Sequence, residues 1–303
     1  MNDQDGYIRN NWGLWLALIS AALLVAGVVW ATTPHTIKVD GDLSDFAKDE
    51  QTAGDAAGDS IYGKNNDLTG LNITWDANNL YLGFKYKAWS TAVMYLVDTG
   101  KTGGVTDLCS NKGYGGAFPA NVNAPSLDLM VSLWVSNTAA TPKPRVYLLA
   151  NKTSQEITTS TGIKVAISDK IDWTNFAHEG SVEVAIPFYV LYGLGAGAVP
   201  KGGKIKIAGV IRGMTDGDGL GDISPNPTGA VVNKNCWTAT GTTLDKFHTV
   251  TLDQDGDSKP DKYWQPGPNT SGPKPDTVAW PDAAVPDSTP WPDSKPWPDS
   301  KAW

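Results

Sequence analysis

Four aspartates near the C-terminal end of the chain have the spacing of a cation-binding loop. Asp253, Asp255, Asp257 and Asp261 occupy positions 1, 3, 5 and 9 of the segment DQDGDSKPD. Calcium takes about six to eight oxygen ligands, and alternating carboxylates can wrap around such an ion. A solvated acidic linker is the alternative, but four aspartates at ligand spacing are more than a linker requires. The segment therefore predicts a Ca²⁺ site.

This loop differs from an EF-hand and suggests a simpler type of calcium loop. An EF-hand has glycine at position 6 and glutamate at position 12, whereas Ser258 and Trp264 stand at those positions here. The segment resembles the D-x-D-G-D-x-x-x-D loops of thrombospondin type 3 repeats and of bacterial surface proteins. Asp216, Asp218 and Asp222, in DGDGLGD, form a second candidate for Ca²⁺. An ordinary Gly/Asp turn is the alternative for that second segment.

Tryptophans are the other residues that could bind a ligand, because the apolar face of a sugar ring stacks on an indole. Trp89 follows a predicted strand and Trp134 lies on a strand face that mixes polar and apolar residues, so both are candidate carbohydrate platforms. Trp75, Trp173 and Trp237 are further possibilities, and ordinary packing is the alternative for each ring. The chain has no GxSxG, HExxH or phosphate-loop motif. We therefore expect no catalytic residues and no enzymatic activity.

The elements that would position these side chains are organised around residues 73–86, ITWDANNLYLGFKY. Apolar residues alternate with others from Leu80 to Tyr86, which is the period of a half-buried strand. Asp76 and the two following asparagines, Asn78 and Asn79, favour a turn, because Asx side chains bond their own backbone. The stretch therefore predicts a β-hairpin.

Further segments with strand character follow as far as Leu252. The segments that are predicted strands or contain one are residues 37–46, 93–98, 145–149, 164–167, 181–186, 204–211 and 247–252. A short helical turn is predicted at residues 189–193. Residues 127–136 alternate most regularly, with leucines and valines on a core face and with Met130, Ser132 and Trp134 on a face predicted to meet solvent. About nine or ten strands without a long amphipathic helix predict an all-β fold, an antiparallel β-sandwich of jelly-roll or immunoglobulin-like type, over residues 32–252.

The N-terminal segment indicates export. Residues 1–31 contain an apolar run of signal-peptide or membrane-anchor character, an N-terminal hydrophobic helix in either case. Both alternatives place residues 32 onward outside the cytoplasm, in the extracellular space or on the cell surface, with membrane contact only through this segment. Cys109 and Cys236 are the two cysteines, and in an exported protein they predict a single disulfide.

The C-terminal residues 265–303 form a separate segment after the Asp-rich loop of residues 253–264. They are rich in Pro, Asp, Ser and Trp, and they end in repeats of PWPDSK. Such a sequence favours extended polyproline II and cannot build a core. The candidate docking residues are Trp280, Trp291, Trp297 and Trp303. Their rings would dock on another surface, such as a partner, the cell wall or a second copy of this chain.

The charge of the chain excludes one class of partner. The formal net charge is −8 and the pI is about 4.8. A surface of this sign repels phosphate backbones, so we expect no nucleic-acid binding. Neutral sugars and cations remain compatible with such a surface.

Several short blocks resemble a known family. VDGDLSDF, ITWDANNLYLGFKY, MYLVDTG and VEVAIP are similar to successive blocks of the DOMON-like, family-9-type carbohydrate-binding sandwiches that are appended to glucodextranases, pullulanases and xylanases. The resemblance covers residues 37–252. It implies a non-catalytic domain that binds polysaccharide or cell-surface glycan through aromatic side chains, often with structural calcium. The alternative is a structural subunit of an extracellular filament, sheath or surface layer that docks through its Trp-Pro tail.

Overall fold

The computed structural model describes residues 35–53, 58–101, 103–107, 123–150, 153–160, 162–213, 219–227 and 244–261. In chain order the strands are β1 (Gln51–Ala53), β2 (Asp67–Trp75), β3 (Asn79–Ala88), β4 (Thr91–Asp98), β5 (Val105–Asp107), β6 (Asn123–Leu127), β7 (Leu129–Val135), β8 (Pro144–Ala150), β9 (Thr153–Glu156), β10 (Lys164–Asp172), β11 (Ala177–Pro187), β12 (Lys204–Gly213), β13 (Leu220–Ser224) and β14 (His248–Thr251). One α-helix, α1 (Phe188–Tyr192), and two 3₁₀ turns, Leu43–Asp45 and Lys48–Glu50, accompany them.

The strands form two antiparallel sheets. The first sheet has the order β1-β2-β3-β11-β10. The second has the order β13-β12-β4-β7-β8-β9, and β14 also pairs with β12. A separate two-stranded ribbon joins β5 to β6. The all-β, antiparallel class predicted from the sequence is therefore confirmed.

The predicted central hairpin is present as β2 and β3. Asp76 Oδ1 accepts hydrogen bonds from the backbone N–H groups of Asn78 and Asn79 at 2.7 and 2.8 Å. The Tyr81 hydroxyl donates to the other carboxylate oxygen of Asp76 at 2.6 Å. These bonds close the turn with its own side chains, which is why an Asx-rich sequence folds the chain back here.

A shared apolar core lies between the two sheets. The inward residues of β3 and β11, including Phe84 and Val184, alternate as predicted and are fully buried. Leu129, Val131, Leu133 and Val135 of β7 face the same core from the second sheet. Phe84 and Tyr95 stack across the interface with ring centroids 4.0 Å apart. This burial removes apolar surface from water and holds the sheets together.

The outer face of the second sheet is also buried, which corrects one prediction. Met130 and Ser132 are 0% exposed rather than facing solvent. Met130 belongs to a second apolar cluster that includes Met94, Leu96 and Val210 on neighbouring strands. The single strand predicted over residues 127–136 is broken at Asp128, so Leu127 faces this outer cluster and not the core between the sheets.

The outer face of the first sheet is covered by residues 35–46. No strand forms there, contrary to the prediction; a 3₁₀ turn at Leu43–Asp45 packs against Tyr81 instead. Glu183 of β11 points to this outer face but is only 1% exposed. Its Oε2 accepts the backbone N–H groups of Asp40 and Gly41 at 2.7 and 2.6 Å. The carboxylate therefore fixes the covering segment to the sheet.

The described residues contain fourteen strands, more than sequence patterning predicted. The additional ones, β1, β5, β6, β9 and β13, are three to five residues long and lack a full alternating period. The helical turn predicted at residues 189–193 is confirmed as α1, which ends at Gly193 with φ 67°. Within the described ranges, no helix has the length and apolar character needed to cross a membrane.

Candidate functional site

An exposed aromatic platform lies at one end of the sandwich. Trp173 and Phe176 are 56% and 57% exposed, although both are large apolar side chains. The half-buried Trp89 joins them, with ring centroids 6.4 Å from Trp173 and 5.7 Å from Phe176, both edge-on. Indole and phenyl faces at such spacing can stack against the apolar faces of sugar rings. We call these three residues the aromatic platform.

A tight turn between β10 and β11 holds two of the three rings. The Asp172 carboxylate accepts the backbone N–H of Thr174 at 2.8 Å and the side-chain amide of Asn175 at 2.7 Å. The bond from the Asn175 side chain lowers the pKa of Asp172, so the carboxylate stays ionised and keeps its acceptor role. Phe176 has φ 49°, a left-handed conformation that points the chain back into β11. The Asn65 side chain also donates to the Asn175 carbonyl.

Buried polar groups support the platform from behind. The His178 ring is stacked on Trp89 at 5.9 Å. Its Nδ1 lies 2.9 Å from Asp169 Oδ2, and its Nε2 lies 2.9 Å from the Thr138 carbonyl. A carbonyl oxygen can only accept, so Nε2 carries a proton. The orientation of Trp89 is thus fixed by a fully buried imidazole with a partner on each nitrogen.

Further bonds fix the backbone at Trp89, where the chain crosses from the first sheet to the second. The Asn66 side-chain oxygen accepts the Trp89 N–H at 2.9 Å and the Thr91 hydroxyl at 2.8 Å. The Tyr86 hydroxyl donates to Asp169 Oδ1 at 2.7 Å. Burial, followed by the bond to Asp169, raises the pKa of Tyr86 far above its ordinary value, so this hydroxyl remains a donor.

Trp134, the other predicted platform, lies on a different surface. Its ring is half-buried on the outer face of the second sheet and packs against the cluster that contains Met130. The Arg212 guanidinium lies 5.3 Å from the ring centroid. The Trp134 ring thus packs on the outer face of the second sheet, whereas the aromatic platform lies at the β3–β4 and β10–β11 connections. Trp75 is 0% exposed and belongs to the core.

The Asp-rich loop is folded around its first aspartate. Asp253 is 0% exposed, and its carboxylate accepts four backbone N–H groups at 2.8–3.1 Å. The four donors are Gly202, Gly256, Asp257 and Ser258. The Trp75 indole N–H donates to the Asp261 carbonyl at 2.9 Å and anchors the end of the loop to the core. The loop is therefore a structured part of the domain edge.

The structure brings together three of the four predicted calcium ligands in this loop. Oxygens of Asp253, Asp255 and Asp261 lie within 4.8 Å of one another, whereas Asp257 is not in the group. Burial opposes ionisation of Asp253, but its backbone donors outweigh this effect and lower its pKa. Burial raises the pKa of Asp261, and the neighbouring carboxylates add to the shift. A hard cation bound here would relieve that repulsion.

A second acidic cluster combines Asp59, Asp67 and Asp222, whose carboxylate oxygens also lie within 4.8 Å of one another. The sequence grouped Asp222 with Asp216 and Asp218 instead, and those two lie outside the described residues. Burial, with a contribution from Asp59, raises the pKa of Asp67 to about 6. Sequence reasoning missed Asp59 and Asp67, because only the fold brings them to Asp222.

Phe176 and His178 were also missed. A local signal for Phe176 was present in the sequence, since Trp173 and Phe176 are the first and last residues of the four-residue turn between β10 and β11. The predicted disulfide residues Cys109 and Cys236 lie outside the described residues, as do the docking tryptophans 280, 291, 297 and 303 and the N-terminal segment. Neither a protein-family model nor a curated protein matches the chain. The resemblance to family-9-type sandwiches stays a prediction.

Proposed function

We propose that the protein is an exported, non-catalytic β-sandwich that binds carbohydrate at the aromatic platform and is stabilised by Ca²⁺ in the Asp-rich loop. The observation that carries the proposal is the exposure of Trp173 and Phe176 on a turn rigidly backed by Trp89 and His178. Exposing two large apolar rings side by side costs solvation free energy, which a stacked ligand would recover. The resemblance to family-9-type sandwiches supports the same ligand class, a polysaccharide or cell-surface glycan.

The surroundings of the platform suit a neutral sugar. Asp172 and Asn175, whose side chains bond each other at 2.7 Å, place fixed polar groups on the same turn as the two rings. Sugar recognition commonly combines an apolar stacking surface with a few fixed polar groups. The strongly acidic chain as a whole would disfavour polyanionic glycans.

Binding should be tested with the secreted chain on affinity gels that contain α-glucan, β-glucan, xylan or cell-wall polymer. Trp173→Ala and Phe176→Ala should each weaken retardation by about five- to tenfold, because each removes one stacking surface. Tyr189→Ala is the matched control, because Tyr189 is 40% exposed and lies where β11 ends, away from the platform. Retardation that survives both platform substitutions, or that depends on Tyr189 instead, would reject the platform.

The calcium part of the proposal rests on the Asp253, Asp255 and Asp261 carboxylates. Thermal unfolding of the full chain with Ca²⁺ and with chelator should show a higher Tm with Ca²⁺, because an ion that binds only the folded loop stabilises it. Asp255→Asn should reduce this difference without changing the Tm in chelator. An Asp255→Asn variant that gains as much from Ca²⁺ as wild type would contradict the assignment.

The structural-subunit alternative makes a separable prediction. Size-exclusion chromatography and electron microscopy of the full chain would reveal polymers, and removal of residues 272–303 should abolish them if the Trp-Pro tail docks on a neighbour. A chain that stays monomeric with and without Ca²⁺ would favour the carbohydrate-binding proposal.

A further inference from the structure

Three carboxylates from distant parts of the chain converge where the first and second sheets meet. Asp67 begins β2 in the first sheet, Asp222 lies in β13 of the second, and Asp59 lies in the segment that precedes β2. Asp67 and Asp222 are 0% and 2% exposed, whereas Asp59 is exposed. Buried carboxylates at this separation repel each other unless a proton or a cation lies between them.

Backbone donors fix the direction of the two buried carboxylates. Gly58 N–H donates to both oxygens of Asp67 at 3.1 Å. Leu68 N–H, on the neighbouring sheet, donates to Asp222 Oδ2 at 2.9 Å. In the part of the chain that the structure describes, neither Asp59 nor Asp67 forms an ion pair with a lysine, arginine or histidine.

The side chain of Ser224 on β13 supplies a fourth oxygen. Ser224 is 2% exposed, and its Oγ has no hydrogen-bond partner among the residues that the structure describes. In the pairing of β13 with β12, Asp222 lies opposite Ile211, and Ser224 lies opposite Gly209. Ile211 belongs to the core between the sheets, so the side chains of Asp222 and Ser224 point to the inner face of the second sheet. A buried hydroxyl without a partner is costly, and a bound ion would supply the missing interaction.

The residues around Ser224 connect its place on β13 with the cluster. A Cβ on Gly209, which lies opposite Ser224, would contact Leu68, the residue whose N–H binds Asp222. Two positions after Ser224, Asn226 donates its side-chain amide to Asp59 Oδ2 at 2.8 Å. Ser224 is therefore close in the fold to Leu68 and Asn226, each of which bonds one carboxylate of the cluster, and it shares a strand face with Asp222.

We propose that Asp59, Asp67, Asp222 and the Ser224 hydroxyl bind one Ca²⁺ ion that ties β2 to β13. All four ligands are oxygens, which hard divalent cations prefer over the nitrogen and sulfur donors of zinc sites. Two oxygens on opposite sides of a calcium ion are about 4.6–5.2 Å apart, and the three carboxylates lie within 4.8 Å of one another. This site shares no residue with the aromatic platform or with the Asp-rich loop.

The ion would also hold the segment that supplies Asp59. Ile61 N–H donates to the Gly221 carbonyl, and the Tyr62 hydroxyl donates to the Gly219 carbonyl, both at 2.8 Å. The Tyr62 ring lies directly over Gly221, because a Cβ on that glycine would overlap the ring. The segment is thus already attached to β13, and a cation would fasten the same segment to β2.

The number of Ca²⁺ ions bound by the chain tests this proposal. The full chain is freed of metal with chelator and titrated with Ca²⁺ by calorimetry. The variants Asp67→Asn and Asp59→Asn are then compared with Asp255→Asn, which alters the Asp-rich loop. We expect Asp67→Asn and Asp59→Asn each to lose one ion or to bind it roughly tenfold more weakly or worse, since calcium affinity follows ligand charge. Asp255→Asn should retain that ion. Wild-type stoichiometry and affinity in both Asp67→Asn and Asp59→Asn would overturn the site.

Two further measurements keep the test decisive if a variant is unstable. In chelator, Asp67→Asn should unfold at the same or a higher temperature than wild type, because it removes a buried like charge. In Ca²⁺ the order should reverse. Ser224→Ala should bind Ca²⁺ about threefold more weakly or worse and should fold normally in chelator. Wild-type affinity in Ser224→Ala would remove this hydroxyl from the site, and binding of Mg²⁺ in preference to Ca²⁺ would overturn the calcium assignment.

Discussion

The carboxylates of the Asp-rich loop come from nine consecutive residues, whereas those of the second acidic cluster come from three separate segments. In the loop, Asp253 accepts four backbone N–H groups. In the second cluster, the described residues offer Asp67 one backbone N–H group, that of Gly58, which is shared between both carboxylate oxygens. Asp253 and Asp67 are both buried, so the contrast between these two carboxylates lies in the number of backbone donors that face them.

This difference shifts the pKa values of Asp253 and Asp67 in opposite directions. The backbone donors of Asp253 outweigh burial, so its pKa is lowered and ionisation stabilises the folded loop. At Asp67 burial dominates and the pKa rises to about 6, so ionisation destabilises the fold. A loop that supplies its own donors can exist without a cation. At the second cluster, the Ca²⁺ ion proposed above would offset the cost of ionising Asp67 at neutral pH.

Replacing Asp253 should have the largest effect on stability. Asp253→Ala leaves four backbone N–H groups without their acceptor, and we expect the free energy of unfolding to fall by about 3 kcal/mol in chelator. Urea denaturation monitored by tryptophan fluorescence is the measurement. Trp75 is a suitable reporter, because its indole N–H bonds the Asp261 carbonyl at the end of the loop. A loss below about 0.5 kcal/mol would mean that the carboxylate does not organise the loop.

The raised pKa of Asp67 predicts a pH dependence. Its folded pKa of about 6 lies above the ordinary value of 3.8. The folded state therefore binds the proton more tightly, and stability contributed by protonated Asp67 is present below pH 4 and lost as the pH rises through 6. The total loss is up to about 3 kcal/mol.

The pH effect is isolated by comparing wild type with Asp67→Asn in chelator. Urea denaturation between pH 4 and 7 should show wild type losing stability relative to the variant as the pH rises. If Ca²⁺ binds the Asp67 carboxylate, then in Ca²⁺ the free energy of unfolding should change with pH in the same way in wild type and in Asp67→Asn. Parallel curves for the two proteins in chelator would show that Asp67 titrates normally.

The contact between Tyr62 and β13 offers a third test of the second cluster. A methyl group at Gly221 would overlap the Tyr62 ring, so Gly221→Ala should displace the segment that carries Asp59. We expect a loss of about 2 kcal/mol, as for other over-packed sites, together with weaker Ca²⁺ binding. Gly195→Ala is the control, because nothing lies within 4 Å of its Cβ position. Equal Tm values for the two variants would contradict the proposed contact.

The two clusters also show what the sequence could predict. The loop was predictable, because four aspartates at fixed spacing are visible in nine residues. The second cluster was not, since Leu68 and Asp222, which share a hydrogen bond there, are 154 positions apart. The central hairpin and the inward face of β7 were predicted from alternation. The burial of Met130 and Glu183 was not, because it depends on chain segments that cover the outer faces of the sheets.

The smallest expected effect is that of replacing Asp257 in the Asp-rich loop. It tests whether the sequence spacing of the aspartates or their positions in the structure decide which of them bind the ion. Asp257 fits the ligand spacing, but its carboxylate lies outside the group formed by Asp253, Asp255 and Asp261 and accepts the Lys259 N–H at 2.8 Å. Asp257→Asn keeps an acceptor oxygen, so stability in chelator should change by less than about 0.5 kcal/mol. Calorimetry should show Ca²⁺ affinity reduced roughly threefold or less, against roughly tenfold for Asp255→Asn. Equal losses in the two variants would mean that Asp257 turns inward to ligate the ion, as its spacing in the sequence predicts.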